Sequence, residues 1–195
     1  MTVKRCKWVT DDPVYIDYHD HEWGIPVYDD RKFFEMLTLE GAQAGLSWIT
    51  ILKRREHYRQ AFDRFDFYKI ATYDERKIQG LLRNPGIIRN ERKIRSVVNN
   101  ARAFIKLREE FGSFSNYIWD YVDGKPIINH WQDSSEIPAS TPLSVAISKD
   151  LKKRGFSFVG PVIIYSFLQA TGIVNDHEIS CICHPDKMLN AWNRS

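Results

Sequence analysis

Cysteine and histidine crowd toward the two ends of this sequence: Cys6, His19 and His21 early, and His177, Cys181, Cys183 and His184 late. Four ligands of mixed nitrogen and sulfur type form a closed tetrahedral zinc site. With no position left for water, such a site is structural rather than catalytic. His177 and Cys181 are four residues apart and would share one face of a helix, which makes them a better pair than His177 with Cys183. Spacing does not decide between His19 and His21, which fall in what reads as an irregular segment. The pattern lacks the close paired spacing of a zinc finger, and lone buried histidines are commoner than ligands. If the site is real, it ties together two segments that would otherwise fray.

A second group centres on Glu40, which follows Phe33 by seven residues, Met36 by four and Leu37 by three. Helical spacing therefore puts a carboxyl on the apolar side of its helix. A buried carboxyl is costly unless it has a partner or a job. Tyr15, Tyr18, Trp23 and Trp48 supply flat faces nearby in the sequence. Taken singly, each aromatic reads as core packing. An acid among them suits an extruded base, which needs stacking surfaces above and below and a polar group for its edge.

The elements that must position these groups are helical nearly throughout. One helix starts at Asp29-Asp30 and carries Phe33, Phe34, Met36, Leu37 and Ala44, and a second apolar stripe runs through Leu46, Ile49, Ile51 and Leu52. Residues 90–111 place Ile94, Val97, Val98, Ala101, Ile105 and Leu107 on one side of a third helix. Thr141-Pro142 is a capped start for a helix that runs to Arg154 and stops at Gly155. Another runs from Gly160-Pro161 to Gly172. Between these last two, Gly155 to Gly160 forms a short glycine-bounded hairpin after the basic run Lys152-Lys153-Arg154. The N–H groups opening the second helix suit a phosphate oxygen, so the hairpin would grip a nucleic-acid backbone without reading sequence. An ordinary helical corner would have the same composition. Residues 124–138 read as a long polar connection, and no strand-and-helix alternation predicts a parallel sheet.

Composition sets looser bounds. A chain of 195 residues with 43% hydrophobic content can bury a sizeable core, and its length favours one domain or two joined helical lobes. The net charge of +3 does not by itself indicate nucleic acid; what matters is clustering, seen at Lys53-Arg54-Arg55, from Arg89 to Arg95, and at Lys152-Lys153-Arg154. Each run taken alone reads first as a solvated helix face. No signal-like segment and no apolar stretch of membrane-spanning length is present, so a cytosolic location is expected. Three cysteines in a reducing compartment suit metal ligation better than disulfides.

Several runs together resemble one family. Cys6-Lys7-Trp8, Asp12-Pro13-Val14-Tyr15, Tyr18-His19-Asp20, Glu22-Trp23-Gly24, Leu39-Glu40, Gln43 through Trp48, Lys152 through Phe156, Phe158-Val159-Gly160 and Asn175-Asp176-His177 are similar to those of the bacterial DNA-3-methyladenine glycosylase I family. They occur in the family's order and span roughly residues 5–185. The resemblance implies an all-α, helix-hairpin-helix glycosylase fold with a structural zinc on Cys6, His19, His177 and Cys181. It implies a cytoplasmic bacterial enzyme that acts as a monomer on double-stranded DNA containing alkylated bases, away from membranes. The activity implied is hydrolytic release of 3-methyladenine without strand cleavage. Catalysis would fall on Glu40 and Tyr18, and base binding on Glu40, Tyr15, Tyr18, Trp23 and Trp48. DNA contacts would fall on Lys153, Arg154, Gly155, Phe158, Val159 and Gly160, and Leu46, beside Gly45, is the candidate wedge. The wider superfamily places a catalytic aspartate two residues before a histidine; here that position is Asn175, and this family is similar in lacking the acid. One domain is expected over 1–195, with a flexible tail over 186–195.

Two other readings compete. A non-catalytic helix-hairpin-helix module would bind damaged DNA and release no base, and would have no need of Glu40 among aromatics. A catalytic zinc hydrolase would need an open coordination position.

Overall fold

The computed structural model describes residues 3–187; most of the expected tail, 188–195, lies outside the described residues. The chain runs through α1 (Pro13–His21), α2 (Asp30–Gln43), α3 (Trp48–Leu52), α4 (Arg55–Ala61), α5 (Phe67–Ala71), α6 (Glu75–Arg83), α7 (Glu91–Phe111), α8 (Phe114–Asp120), α9 (Pro142–Lys153) and α10 (Pro161–Ala170). The all-α expectation holds, apart from two short strands. β1 (Ile127–Ile128) pairs in parallel with β2 (Val174–Asn175), Ile127 opposite Val174 and Ile128 opposite Asn175.

Helix α2 is the centre of the molecule. Its start is capped by Asp29, whose side chain accepts from the Lys32 N–H at 2.8 Å. From Phe33 to Ala42 every residue is buried, because α3, α7, α8 and α10 all pack on it. Burial on α2 is therefore not confined to an apolar stripe. Glu35, Thr38 and Glu40 are as enclosed as the phenylalanines, and what separates them is whether they have partners. At the far end, the Lys93 ammonium from α7 donates to the Ala42 and Ala44 carbonyls at 2.8 and 2.6 Å, closing α2 just before Gly45.

Several local expectations need correction. The segment holding His19 and His21 is a regular helix, α1, started by the Asp12 cap and Pro13. Two residues apart on a helix point to nearly opposite sides, so His19 is buried and His21 is exposed. The helical stripe expected from Leu46 begins only at Trp48, and α2 stops at Gln43, leaving Ala44 as its cap. His177 and Cys181 lie on irregular chain either side of a turn at 179–180 rather than on a helix face. The connection 124–138 carries β1 and a short 3-10 turn, Ser134–Glu136, in place of featureless coil. Among the described residues no helix is long and apolar enough to cross a membrane.

Candidate active site and metal centre

The carboxyl of Glu40 opens into a cavity of about 520 Å³, within the size range of small-molecule sites. Tyr15 and Tyr18 reach it from α1, Trp48 from the start of α3, and Trp8 and Trp23 from the loops flanking α1. Tyr18 and Trp48 lie with ring centroids 5.5 Å apart, and Trp8 meets Tyr15 and Trp23 edge-on at 5.1 and 5.0 Å. All five aromatics border the cavity, four of them the predicted base-binding residues.

Glu35 and Glu40 sit on the same helix in different electrostatic settings. Glu35 accepts from Arg55 Nε at 2.6 Å and from Arg59, and Arg55 also holds Glu22 through two bonds of 2.6 and 2.9 Å. Lys32 completes the group on Glu22. Although burial works against its charge, hydrogen bonds from Arg55 and Lys32 hold Glu22 down at about 2. This network locks the C-cap of α1 to α2 and α4, and so fixes Tyr15 and Tyr18 relative to Glu40. Glu40 has no ion-pair or hydrogen-bond partner among the described residues. Desolvation alone raises its pKa from 4.5 to about 8. Burial, with Glu40 adding to it, also pushes the Tyr15 and Tyr18 hydroxyls above their ordinary range. The buried indole N–H groups of Trp8 and Trp48 have no acceptor among the described residues either. An aromatic box with one lone acid and unpaired donors in its walls is arranged for a ligand rather than for its own stability.

The cavity wall contains residues that the sequence did not single out. Gln43 comes from the last turn of α2, Ser166 and Gln169 from α10, and Asp133, Ser134, Ser135 and Ile137 from the connection read as a plain loop. The 3-10 turn at 134–136 brings Ser134 and Ser135 into that wall. Its sequence signal was local only, an Asp133 side chain accepting from the Ser135 N–H.

Cys6, His19, His177 and Cys181 are all buried, with one ligand atom each lying within 4.8 Å of the others. The Cys6 sulfur is 3.5 Å from His177 Nδ1, and the Cys181 sulfur is 3.5 Å from His19 Nε2 and 3.6 Å from His177 Nδ1. Sulfur and nitrogen ligands of a tetrahedral zinc would stand about 3.6 Å apart, from bond lengths near 2.3 and 2.05 Å. The outer groups fit as well. His177 Nε2 donates to the Trp23 carbonyl at 3.0 Å, and His19 Nδ1 meets Asp20 at 2.7 Å, itself gripped by Arg5. Metal-bound imidazoles use their second nitrogen in this way. Backbone N–H groups of Glu178 and Cys183 approach the two sulfurs at 3.4 Å. The four residues could hold a metal ion. His21 is outside the group, and Cys183 falls beside it, 3.8 Å from Asp20. His184 donates to the Asn129 carbonyl in a separate cluster with His130 and Asp186. The centre adjoins the cavity, since Trp8 packs on His19 at 5.3 Å and Trp23 on His177 at 4.6 Å.

The hairpin joins α9 to α10. Gly155 has φ +91° and Phe158 φ +56°, so the chain makes its reversal in left-handed conformations. Asn100 on α7 clamps it from both sides, donating to the Ser157 carbonyl and accepting from its N–H, while Ser148 donates to the Val159 carbonyl. Phe158 packs against Gly41, where an added Cβ would sit 3.3 Å from the ring-bearing carbon, so the hairpin touches the turn of α2 next to Glu40. Val159 is buried, while Gly160 begins α10 with open space about it. Arg154 is bound to Asp150 and Glu110 and lies over the Phe111 ring. Lys152 and Lys153 are exposed with no ion-pair partner among the described residues. Leu46 is exposed on the turn after α2. The other basic runs divide: Lys53 pairs with Asp12, Arg55 is internal, and Arg95 pairs with Glu75 and Glu91, whereas Arg89 and Arg92 face solvent.

Asn175, at the superfamily's acid position, is buried and donates to the Gly24 carbonyl while accepting from the His177 N–H. Among the described residues no lysine lines the cavity.

A family model described as methyladenine glycosylase matches residues 8–184. DNA-3-methyladenine glycosylase 1 of Escherichia coli (strain K12) is 50% identical over 94% of this chain and 98% of its own. Among solved structures, a 3-methyladenine DNA glycosylase I is 53% identical with a TM-score of 0.91, covering 93% of this chain and all of that one. A structure addressing 3-methyladenine recognition by the Staphylococcus aureus enzyme is 41% identical with a TM-score of 0.90, covering 93% of this chain and 96% of that one.

Proposed function

The chain belongs to the methyladenine glycosylase family, and on that premise we propose that it is a base-excision repair enzyme releasing 3-methyladenine from alkylated duplex DNA. The observation that carries the reading is Glu40, a buried acid without a protein partner facing a cavity walled by aromatic rings.

Methylation at N3 leaves adenine positively charged and weakens its bond to deoxyribose. In the reaction C1′–N9 breaks, its electron pair neutralises the departing base, and water adds to C1′ with loss of a proton. The base is already a good leaving group, so little acid assistance is required, which agrees with Asn175 at the superfamily's acid position. Tyr15, Tyr18, Trp23 and Trp48 offer faces to a cationic ring. Glu40 accepts from its exocyclic amino group, and arrival of the cation favours the ionised carboxylate. Guanine has a carbonyl at that position and is disfavoured by repulsion. Tyr18, buried against Trp48, acts with Glu40 at the reacting base. The cavity wall lacks a lysine to form a Schiff base, which supports simple hydrolysis without strand cleavage.

Cys6, His19, His177 and Cys181 would hold a structural Zn²⁺, which would let both thiols ionise side by side and brace Trp8 and Trp23 through the ligand imidazoles. Lys153, the hairpin from Gly155 through Phe158 and Val159 to Gly160, and the start of α10 would hold the DNA backbone; Arg154, already paired, would support the hairpin. Leu46 would enter the vacated stack. The protein would act as one domain and as a monomer.

The test is to incubate the protein with methylated duplex DNA and identify released bases chromatographically. Release of 3-methyladenine is expected, with Glu40→Gln folded but slower by about a hundredfold. Full activity in that variant refutes the role of Glu40. Binding without base release would favour the non-catalytic module, and 7-methylguanine released at a comparable rate contradicts the pocket chemistry.

A further inference from the structure

Asp176 is completely buried where α10, β2 and the connection after β1 meet. Four side chains donate to its carboxylate, and none is a cation. Asn129 Nδ2 and Trp131 Nε1 reach Oδ1, both at 2.7 Å. The Tyr165 hydroxyl and Gln169 Nε2 reach Oδ2 at 2.6 and 2.7 Å. A carboxylate accepts and does not donate, so only the NH2 end of the Gln169 amide can face it. The other end, Oε1, has no donor among the described residues, and Gln169 lines the cavity one turn along α10 from Ser166. The amide thus shows the cavity a fixed acceptor. Its backbone is fixed too, because the Gln169 carbonyl accepts from the Gly24 N–H at 2.9 Å.

We propose that Gln169 is a specificity-determining residue of the base cavity, and that Asp176 is the positioning residue that decides which end of its amide meets the base. The proposal rests on the glycosylase reading and extends it from one acceptor, Glu40 on α2, to a second on α10. An acceptor suits the amino edge of an adenine and opposes the carbonyl edge of a guanine. Purine selectivity is then set partly by a carboxylate that never touches the base.

Asp176→Asn reverses the logic without changing shape. With its oxygen kept on Asn129 and Trp131, the new amide presents N–H groups toward Tyr165 and Gln169. The tyrosine hydroxyl rotates to accept, and Gln169 turns over to present its oxygen, which leaves its NH2 facing the cavity. Gln169→Met removes the acceptor while keeping the volume.

The experiment measures kcat/KM for release of 3-methyladenine and of 3-methylguanine from methylated duplex DNA, with circular dichroism as the control for folding. Each variant should lower the 3-methyladenine to 3-methylguanine ratio by about tenfold or more, the size of one lost or reversed buried hydrogen bond. Asp176→Asn should have the larger effect, because it installs a donor. A merely structural loss would slow both bases alike and leave the ratio in place. An unchanged ratio in folded Gln169→Met overturns the proposal, and this variant carries the test if Asp176→Asn does not fold. A ratio that moves in Gln169→Met but not in folded Asp176→Asn overturns the role of Asp176. Absence of 3-methyladenine release by the unaltered protein instead refutes the glycosylase reading itself.

Discussion

Replacing Glu40 by glutamine should change the pH dependence of stability in a direction opposite to that of losing a paired acid such as Glu22. Its carboxyl is held at about 8 against an ordinary 4.5, through burial alone. Below 4.5 the group is neutral in both folded and unfolded chains and makes no difference. Between 4.5 and 8 the unfolded chain ionises while the folded one does not, so folding loses about 1.4 kcal/mol per pH unit. Above 8 the deficit is constant, at most about 5 kcal/mol, because water entering the open cavity relaxes part of it. Glutamine has nearly the same shape and no charge at any of these pH values. The stability advantage of Glu40→Gln over the unaltered protein should therefore widen by up to about 3.5 kcal/mol from pH 5 to pH 8. Urea unfolding of both proteins at pH 5, 6, 7 and 8, with equal m-values, measures the gap directly. A gap constant to within about 0.5 kcal/mol would show that the folded protein does not keep Glu40 neutral, and the argument from an unpartnered acid would fail.

Arg55→Met should cost about 3 kcal/mol in urea unfolding, because it removes the cation that Glu22 and Glu35 share and leaves them only Lys32 and Arg59. In the unaltered protein the Glu22 contribution is complete above about 4.5 and disappears as pH falls toward 2; the variant, with Lys32 alone on Glu22, should show a weaker acid limb. Removal of metal by a chelator under reducing conditions should lower Tm by about 10 °C or more in calorimetry, and Cys181→Ser should bind less metal by elemental analysis. Unchanged Tm with no metal released would eliminate the centre. Gly172→Ala should cost more than about 3 kcal/mol, since φ is +67° there and the new Cβ would lie 2.2 Å from the Ile25 carbonyl carbon. Gly80→Ala, in open space on α6, is the control and should be neutral or stabilising in the same denaturation series.

Glu40 was found in the sequence by a partly misleading sign. Helical spacing placed it on an apolar side, yet α2 is buried all round, and Glu35 is buried as well. What marks Glu40 is that no arginine reaches it, a fact that depends on where α4 packs. The hairpin was readable because Thr141, Pro142, Gly155 and Gly160 act through local backbone chemistry. The N-terminal helix was not, since a run of tyrosine, aspartate and histidine shows little apolar periodicity; Asp12-Pro13 was the available start signal. Trp131 meets Asp176 across 45 positions, and the wall formed by 133–137 faces residues of α1, α2 and α3 that lie further off still. Local patterns hold no record of such pairings, whereas family resemblance preserved the ligand set across an even longer interval.

That long interval has a consequence for the order in which the site is assembled. Cys6 and His177 meet across 171 positions, and such distant contacts form late because the loop between them must first be closed. Trp8 and Trp23 lean on the imidazoles of His19 and His177, so one side of the cavity depends on a residue more than 130 positions downstream of Glu40. A nascent chain can assemble the α2, α7 and α8 layer early, but the box around Glu40 closes only after residue 181 has emerged. Competence to hold a base in this way waits on segments far apart in the chain.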